Sequence, residues 1–280
     1  MIFKLTLTVG LIIILVAFFA EYMDSTMGMG YGTMLAPVLL ILGYSPLQVV
    51  PALLLSEFIT GMLAGFTHHF VGNVDFRPRT MNVIKIAKAL REYGPFESFR
   101  RGLPLPLKIA ILIGVCSVVG TVSAVLIAVR IPPYYLKLAI GIMIFLIGVV
   151  IIATIRREYH FSWKRVVALG VIASFNKGLS GGGYGPVVTG GQLLAGVDGK
   201  NAVAITSLAE GLTCLTGVLM YFFSGKHVDW VLAPYLLIGA ILSVPLSAIT
   251  VRKMNTKILK MLIGIVTVIL GCLTLFKVLF

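Results

Sequence analysis

Asp24, Glu57, Lys177 and Glu210 each stand inside a stretch that is otherwise apolar. A charged side chain at the centre of a membrane costs at least about 2.5 to 3.5 kcal/mol on insertion scales, so each needs a partner or a task. Helical spacing puts Glu57 on one face with Thr60, Ala64 and His68, and Glu210 on one face with Thr206, Thr213 and Gly217. A carboxyl group surrounded by hydrocarbon can exchange a proton in the physiological range, which makes both glutamates candidates for proton coupling. Hydrogen bonding to nearby backbone breaks is the structural alternative. Asp24 and Lys177 also admit two readings. They could form a structural ion pair, or Lys177 could be the counter-charge for an anionic substrate, with Asp24 as its competitor or as a proton acceptor. Ser25, Thr26, Asn176 and Ser180 lie beside them and can supply neutral hydrogen bonds.

Two glycine-rich runs frame these residues. Positions 24 to 32 read Asp-Ser-Thr-Met-Gly-Met-Gly-Tyr-Gly, and positions 177 to 185 read Lys-Gly-Leu-Ser-Gly-Gly-Gly-Tyr-Gly. Within hydrocarbon, irregular backbone of this kind is tolerated only where protein or a water-filled cavity surrounds it. A helix that starts after such a run presents unpaired N–H groups and the positive end of its dipole, both of which favour an anion. Gly28, Gly30 and Gly32 with Tyr31, and Gly181, Gly182, Gly183 and Gly185 with Tyr184, are therefore candidate substrate-binding ends. Close helix packing through small residues would use the same glycines.

The elements that must hold these residues follow from composition. With 59% hydrophobic and 12% charged residues and a mean hydropathy of +1.04, the chain reads as an all-α, polytopic transmembrane bundle. Apolar segments fall at about 3–22, 31–43, 46–71, 107–129 and 134–155, then at 163–178, 185–197, 200–223, 229–251 and 256–280. A spanning helix needs about 20 apolar residues, so 31–43 and 185–197 are expected as half-helices after a break. Sliding the first half along the second sets Gly28, Gly30, Tyr31 and Gly32 on Gly181, Gly183, Tyr184 and Gly185. The same register sets Gly43 on Gly196, Glu57 on Glu210, Thr60 on Thr213 and Asp24 on Lys177. One further residue of shift aligns Val74-Asp75-Phe76 with Val228-Asp229-Trp230, and Gly141 and Gly148 match Gly264 and Gly271 near the two ends.

The expectation is a duplication, 1–158 and 159–280. If all ten segments cross, an odd number per copy makes the repeats inverted, as in many secondary transporters, and brings the glycine ends together near the midplane. Lys and Arg gather around 72–106, 156–165, 198–200 and 252–257, which places those loops in the cytoplasm and both termini outside. Within 72–106, the pattern over 81–93 predicts a basic amphipathic helix on the lipid surface. Ala17 to Ala20 could pass for a signal-peptidase site, but the matching segment 163–178 is internal, which favours a retained helix.

The charge of +13 belongs to loops flanking apolar runs, so nucleic-acid binding is not expected. Cys116, Cys214 and Cys272 lie in apolar segments without CxxC spacing and read as packing residues. His68 and His69 near a membrane boundary read as ordinary interfacial histidines. No HExxH, nucleotide loop, serine triad or metal-spaced cluster occurs, so neither catalytic residues nor a metal or cofactor are expected, and an intramembrane enzyme is the weakest of the functional classes.

Taken in order, the two Gly-Tyr-Gly runs, Gly43 and Gly196, Glu57 and Glu210, and Asp75 and Asp229 resemble the TauE/SafE sulfite exporters, also called the 4-toluene sulfonate uptake permease family. The resemblance covers nearly the whole chain apart from 77–106. It implies a plasma-membrane permease, embedded in the bilayer, for small sulfur-containing or organic anions such as sulfite, sulfoacetate or thiosulfate, driven by an ion gradient. It chooses neither the anion nor the oligomeric state. The first run has Met29 where the second has Gly182, so the two anion-facing ends need not be equivalent. Export of sulfite or an organosulfonate by secondary transport is the leading expectation. An anion channel is its nearest rival, since glycine-framed pores can also conduct.

Overall fold

The computed structural model describes residues 7–44, 46–78, 80, 91–93, 97, 101–128, 133–153, 160–180, 183–223, 225 and 227–279. The surface helix expected over 81–93 lies outside them apart from its last three residues. Among the described residues the chain forms α1 Leu7–Met27, α2 Tyr31–Ile41, α3 Pro46–Val71, α4 Leu105–Ala128 and α5 Pro133–Ala153. A second series follows: α6 Trp163–Ser180, α7 Tyr184–Leu194, α8 Gly199–Phe223, α9 Ala233–Lys253 and α10 Thr256–Leu279. These bounds follow the apolar segments closely. The main departure is α1, which continues past the expected end at Tyr22 and so carries Asp24 inside a helix.

Six helices, α1, α3, α4, α8, α9 and α10, are long and apolar enough to cross a membrane. At 11 residues each, α2 and α7 reach only about 16 Å, half a hydrocarbon core. Leu11, Leu15, Phe19, Val115, Val119, Leu242, Leu246 and Phe276 point outward, as a lipid-facing surface requires.

The most extensive helix contacts map onto one another when the first five helices are exchanged for the last five, whereas α7 packs on α5 and α10 in a way that α2 does not match. α1 packs on α9 and α6 on α4; α3 packs on α9 and α8 on α4; α3 packs on α8 and α5 on α10. The α5–α10 contact is reciprocal at the level of residues. A Cβ on Gly148 would strike the backbone of Val268, and a Cβ on Gly271 would strike the backbone of Phe145. Helices in lipid gain association energy from close packing, and glycine lets their backbones approach.

The same device sets the centre of the molecule. Where α3 crosses α8, a Cβ on Gly61 would lie 2.7 Å from the Ser207 carbonyl oxygen, and one on Gly211 would lie 3.0 Å from the Met62 nitrogen. Glu57 is one turn before Gly61 and Glu210 is next to Gly211, so this crossing brings the two carboxylates together.

Candidate functional site

Lys177, in the last turn of α6, is 4% exposed. Its Nζ lies 2.7 Å from Glu57 Oε2 on α3 and 2.6 Å from Glu210 Oε1 on α8. Of the two readings of Lys177, the ion pair with Asp24 gives way to a triad in which one ammonium serves two carboxylates, Glu57 and Glu210. Register in the duplicated sequence set Asp24 and Lys177 at equivalent positions, but equivalence in a repeat does not require contact. Asp24 instead turns to its own break, where Oδ1 accepts the Tyr31 N–H at 3.2 Å and so takes up one of the free donors at the start of α2. Of the two helix ends expected to face a substrate anion, the first is filled by the chain's own carboxylate.

The glycine breaks meet each other. Gly28 and Gly183 have φ of 71° and 72°, left-handed values that a residue with a Cβ rarely adopts, and each lets the chain turn from a long helix into a short one. A Cβ on Gly185 would collide with the Gly28 carbonyl oxygen and with Met29, so the start of α7 rests on the first break. Thr189 Oγ1 donates to the Gly28 oxygen at 2.8 Å and lies 2.9 Å from Thr206 Oγ1, tying that contact to α8. Gly30 approaches only Met23 and Met34. Gly181 and Gly182, with the side chains of Asn176 and Ser180, lie outside what the structure describes.

Each break ends in a buried tyrosine. Tyr31 Oη is 2.6 Å from Ser56 Oγ, and Tyr184 Oη accepts from Thr213 Oγ1 at 3.3 Å. The Tyr184 ring centre is 5.9 Å from Lys177 Nζ, adding a weak cation–π contact. Thr213 Oγ1 is 2.6 Å from Ser117 Oγ of α4. The Cys214 thiol donates to Glu57 Oε2 at 3.3 Å, so this cysteine does more than pack.

A residue that the sequence reading passed over completes the centre. Glu21 on α1 is 2% exposed and accepts from Ser25 Oγ at 2.8 Å and Thr60 Oγ1 at 3.1 Å. Ser25 therefore faces Glu21 and not the lysine. Glu21 lies three residues before Asp24, on the same helical face and already inside the apolar segment 3–22, where its charge was the available signal. Glu21, Asp24, Glu57 and Glu210 line one narrow cleft with Thr60 and Ser207. The outer oxygens Glu57 Oε1 and Glu210 Oε2 are buried without a hydrogen-bond partner among the described residues. A buried carboxylate oxygen in that state wants a proton, a cation or a water.

The flanking residues are structural. His68 is fully buried, a correction to its expected interfacial place: Nε2 donates to the Ser25 carbonyl at 2.9 Å and Nδ1 accepts from Asn73 Nδ2 at 2.9 Å. His69 Nδ1 accepts the Phe76 N–H at 3.2 Å. Asp229 accepts the Val231 and Leu232 N–H groups before α9 and also Gln48 Nε2, while Asp75 accepts the Arg77 N–H. No group of three or more His, Cys, Asp or Glu among the described residues has metal-binding geometry.

A family model described as "Sulfite exporter TauE/SafE" matches residues 13–86 and 95–274. The chain is similar to the probable membrane transporter protein YtnM of Bacillus subtilis (strain 168), 24% identical over 270 residues, covering 91% of this chain and 79% of that one. It is also similar to the probable membrane transporter protein YunE of the same organism, 33% identical over 125 residues, covering 44% of this chain and 45% of that one. No solved structure matches.

Proposed function

Since the chain belongs to the TauE/SafE sulfite exporter family, we propose that it moves a small sulfur-containing or organic anion across the cell membrane by secondary transport, exporting sulfite or an organosulfonate. A member of this family is a multi-pass membrane transporter and not an enzyme. The observation that carries the finer reading is the triad of Lys177 with Glu57 and Glu210 at the crossing of α3 and α8. An anion entering a dry barrier needs a positive partner, and among the described residues Lys177 is the only buried lysine or arginine. Glu57 and Glu210 flank it, and the buried carboxyl groups of Glu21 and Asp24 line the adjoining cleft with them. The centre thus offers an anion counter-charge and proton sites in one place, which is what proton-coupled anion transport requires. Residues 1–158 and 159–280 act in this reading as inverted repeats that rock about the site, a reading supported by the reciprocal helix contacts.

The test is a flux screen in proteoliposomes with sulfite, thiosulfate, sulfoacetate and sulfate. Saturable flux that follows an imposed proton gradient supports a carrier. Large single-channel currents would instead establish a channel.

A further inference from the structure

Lys177 also lines a second cavity, of about 30 Å³, whose walls include Thr121 of α4, Thr213 and Met220 of α8, and Val50 and Leu54 of α3. Its glutamate partners line the carboxylate cleft and not this cavity. An ammonium carries three N–H donors, and Glu57 and Glu210 engage two of them. Thr121 is 4% exposed, and its hydroxyl has no hydrogen-bond partner among the described residues. Among the described residues, then, one cavity is lined by an unpartnered hydroxyl and by a lysine with one N–H beyond its two carboxylate contacts, and an occupant that accepts hydrogen bonds suits both. The walls at Val50, Leu54 and Met220 are apolar and keep the local dielectric low, which strengthens any charge contact made there, and Thr213 and Tyr221 add two further hydroxyl residues to the lining. A cavity of this size holds about two waters, so an oxyanion enters only when α3 and α8 part slightly.

We propose that the transported anion binds in this cavity, on Lys177 and Thr121, and that it binds together with protons on Glu57 and Glu210. The inference rests on the transport reading above and adds a place and a sign to it. With both glutamates ionised, the triad carries one positive and two negative charges, and an anion would be repelled. With both protonated, the lysine is an unshared cation that an anion can neutralise. Among the described residues, the groups near Lys177 are Glu57 from α3, Glu210 and Cys214 from α8, Asp24 from α1 and Tyr184 from α7, with Glu21 further along the carboxylate cleft; in the cavity Tyr221 of α8 and Thr121 of α4 add hydroxyls. None of these adds a second positive charge. Anion and proton then travel in the same direction, and an anion accumulated inside the cell leaves with its protons down their combined gradient.

The experiment is calorimetry on the purified full chain with thiosulfate and sulfoacetate, which hold their charge above about pH 5, in buffers of different ionisation heat. The expected result is net proton uptake on binding, up to about two per anion, with affinity rising as pH falls. Thr121→Val, which keeps the shape, should weaken binding about tenfold, while Thr121→Ser should retain it and Thr267→Val, a buried hydroxyl elsewhere, should leave it unchanged. Proton release on binding, or Thr121→Val binding like wild type, overturns the proposal. A Thr121→Val chain that does not fold leaves the decision to Thr121→Ser, whose failure to bind while folded overturns it equally. If wild type neither binds nor carries any anion of the screen, the transport reading falls with it; if anions are carried but Thr121 is indifferent, only the subsite falls.

Discussion

Removing Lys177 leaves two buried carboxylates facing each other without a cation, and breaking a buried pair from one side typically costs about 3 to 5 kcal/mol. Lys177→Ala should therefore lower thermal stability in detergent by several degrees and abolish flux. Adding Glu57→Gln and Glu210→Gln to Lys177→Met should restore most of the stability without restoring flux. Adding Asp24→Asn to Lys177→Ala should rescue neither, because Asp24 is committed to the Tyr31 N–H. Rescue by Asp24→Asn, seen as recovery of the melting temperature, would mean that Asp24 and not the glutamates is the lysine's partner. Glu210→Gln alone should leave anion binding largely intact and flatten its pH dependence, measured between about pH 5 and pH 8. Lys177→Arg should keep the charge but weaken transport, since a planar guanidinium does not fit between two carboxylates held for an ammonium. Most of these residues were legible in the sequence, because a charge in an apolar run is conspicuous at any register. Their partners were not. Which carboxylate an ammonium chooses depends on helix crossing, and Thr121 is one unremarkable hydroxyl in an apolar helix until a cavity is seen beside it.

At the scale of elements, the centre depends on backbones that touch. Gly61→Leu or Gly211→Leu should push α3 from α8 and separate Glu57 from Glu210. The expected result is a folded but inactive protein, or loss of expression, with a destabilisation of about 1 to 3 kcal/mol from overpacking. Gly185→Ala should act in the same way through the contact between the two breaks. Gly102→Ala, which meets nothing within 4 Å, is the neutral control for expression and flux. The short helices α2 and α7 were legible from length alone, since 31–43 and 185–197 cannot span. The extension of α1 through Asp24 was not, because a glutamate and an aspartate three residues apart look like the end of an apolar run. They stay helical because Glu21 is satisfied by Ser25 and Thr60, and Asp24 by the Tyr31 N–H. Tertiary partners overrode the local signal.

For the whole molecule, the proposed inverted-repeat arrangement would put the loops rich in Lys and Arg in the cytoplasm. Single cysteines at Lys88 and Lys253 should resist an impermeant thiol reagent added to intact cells, whereas one at Gly225 should react; the opposite pattern would reverse the orientation. Glycines, glutamates and tyrosines recur in one register of the sequence, and the most extensive helix contacts exchange in the same way, which supports the proposed duplication. How the halves dock was beyond a one-dimensional pattern, since it is set by small residues such as Gly148 and Gly271, whose effect appears only when a partner backbone arrives. The central claim is that this centre couples an anion to protons through Lys177. Its most direct test follows lumenal pH in proteoliposomes loaded with a pH dye while thiosulfate or sulfoacetate is added outside with no pH gradient. Wild type should acidify the lumen in fixed proportion to the anion taken up, and Lys177→Ala should do neither. Anion uptake at an unchanged rate without any proton movement, or uptake that survives Lys177→Ala in a folded protein, would contradict the account.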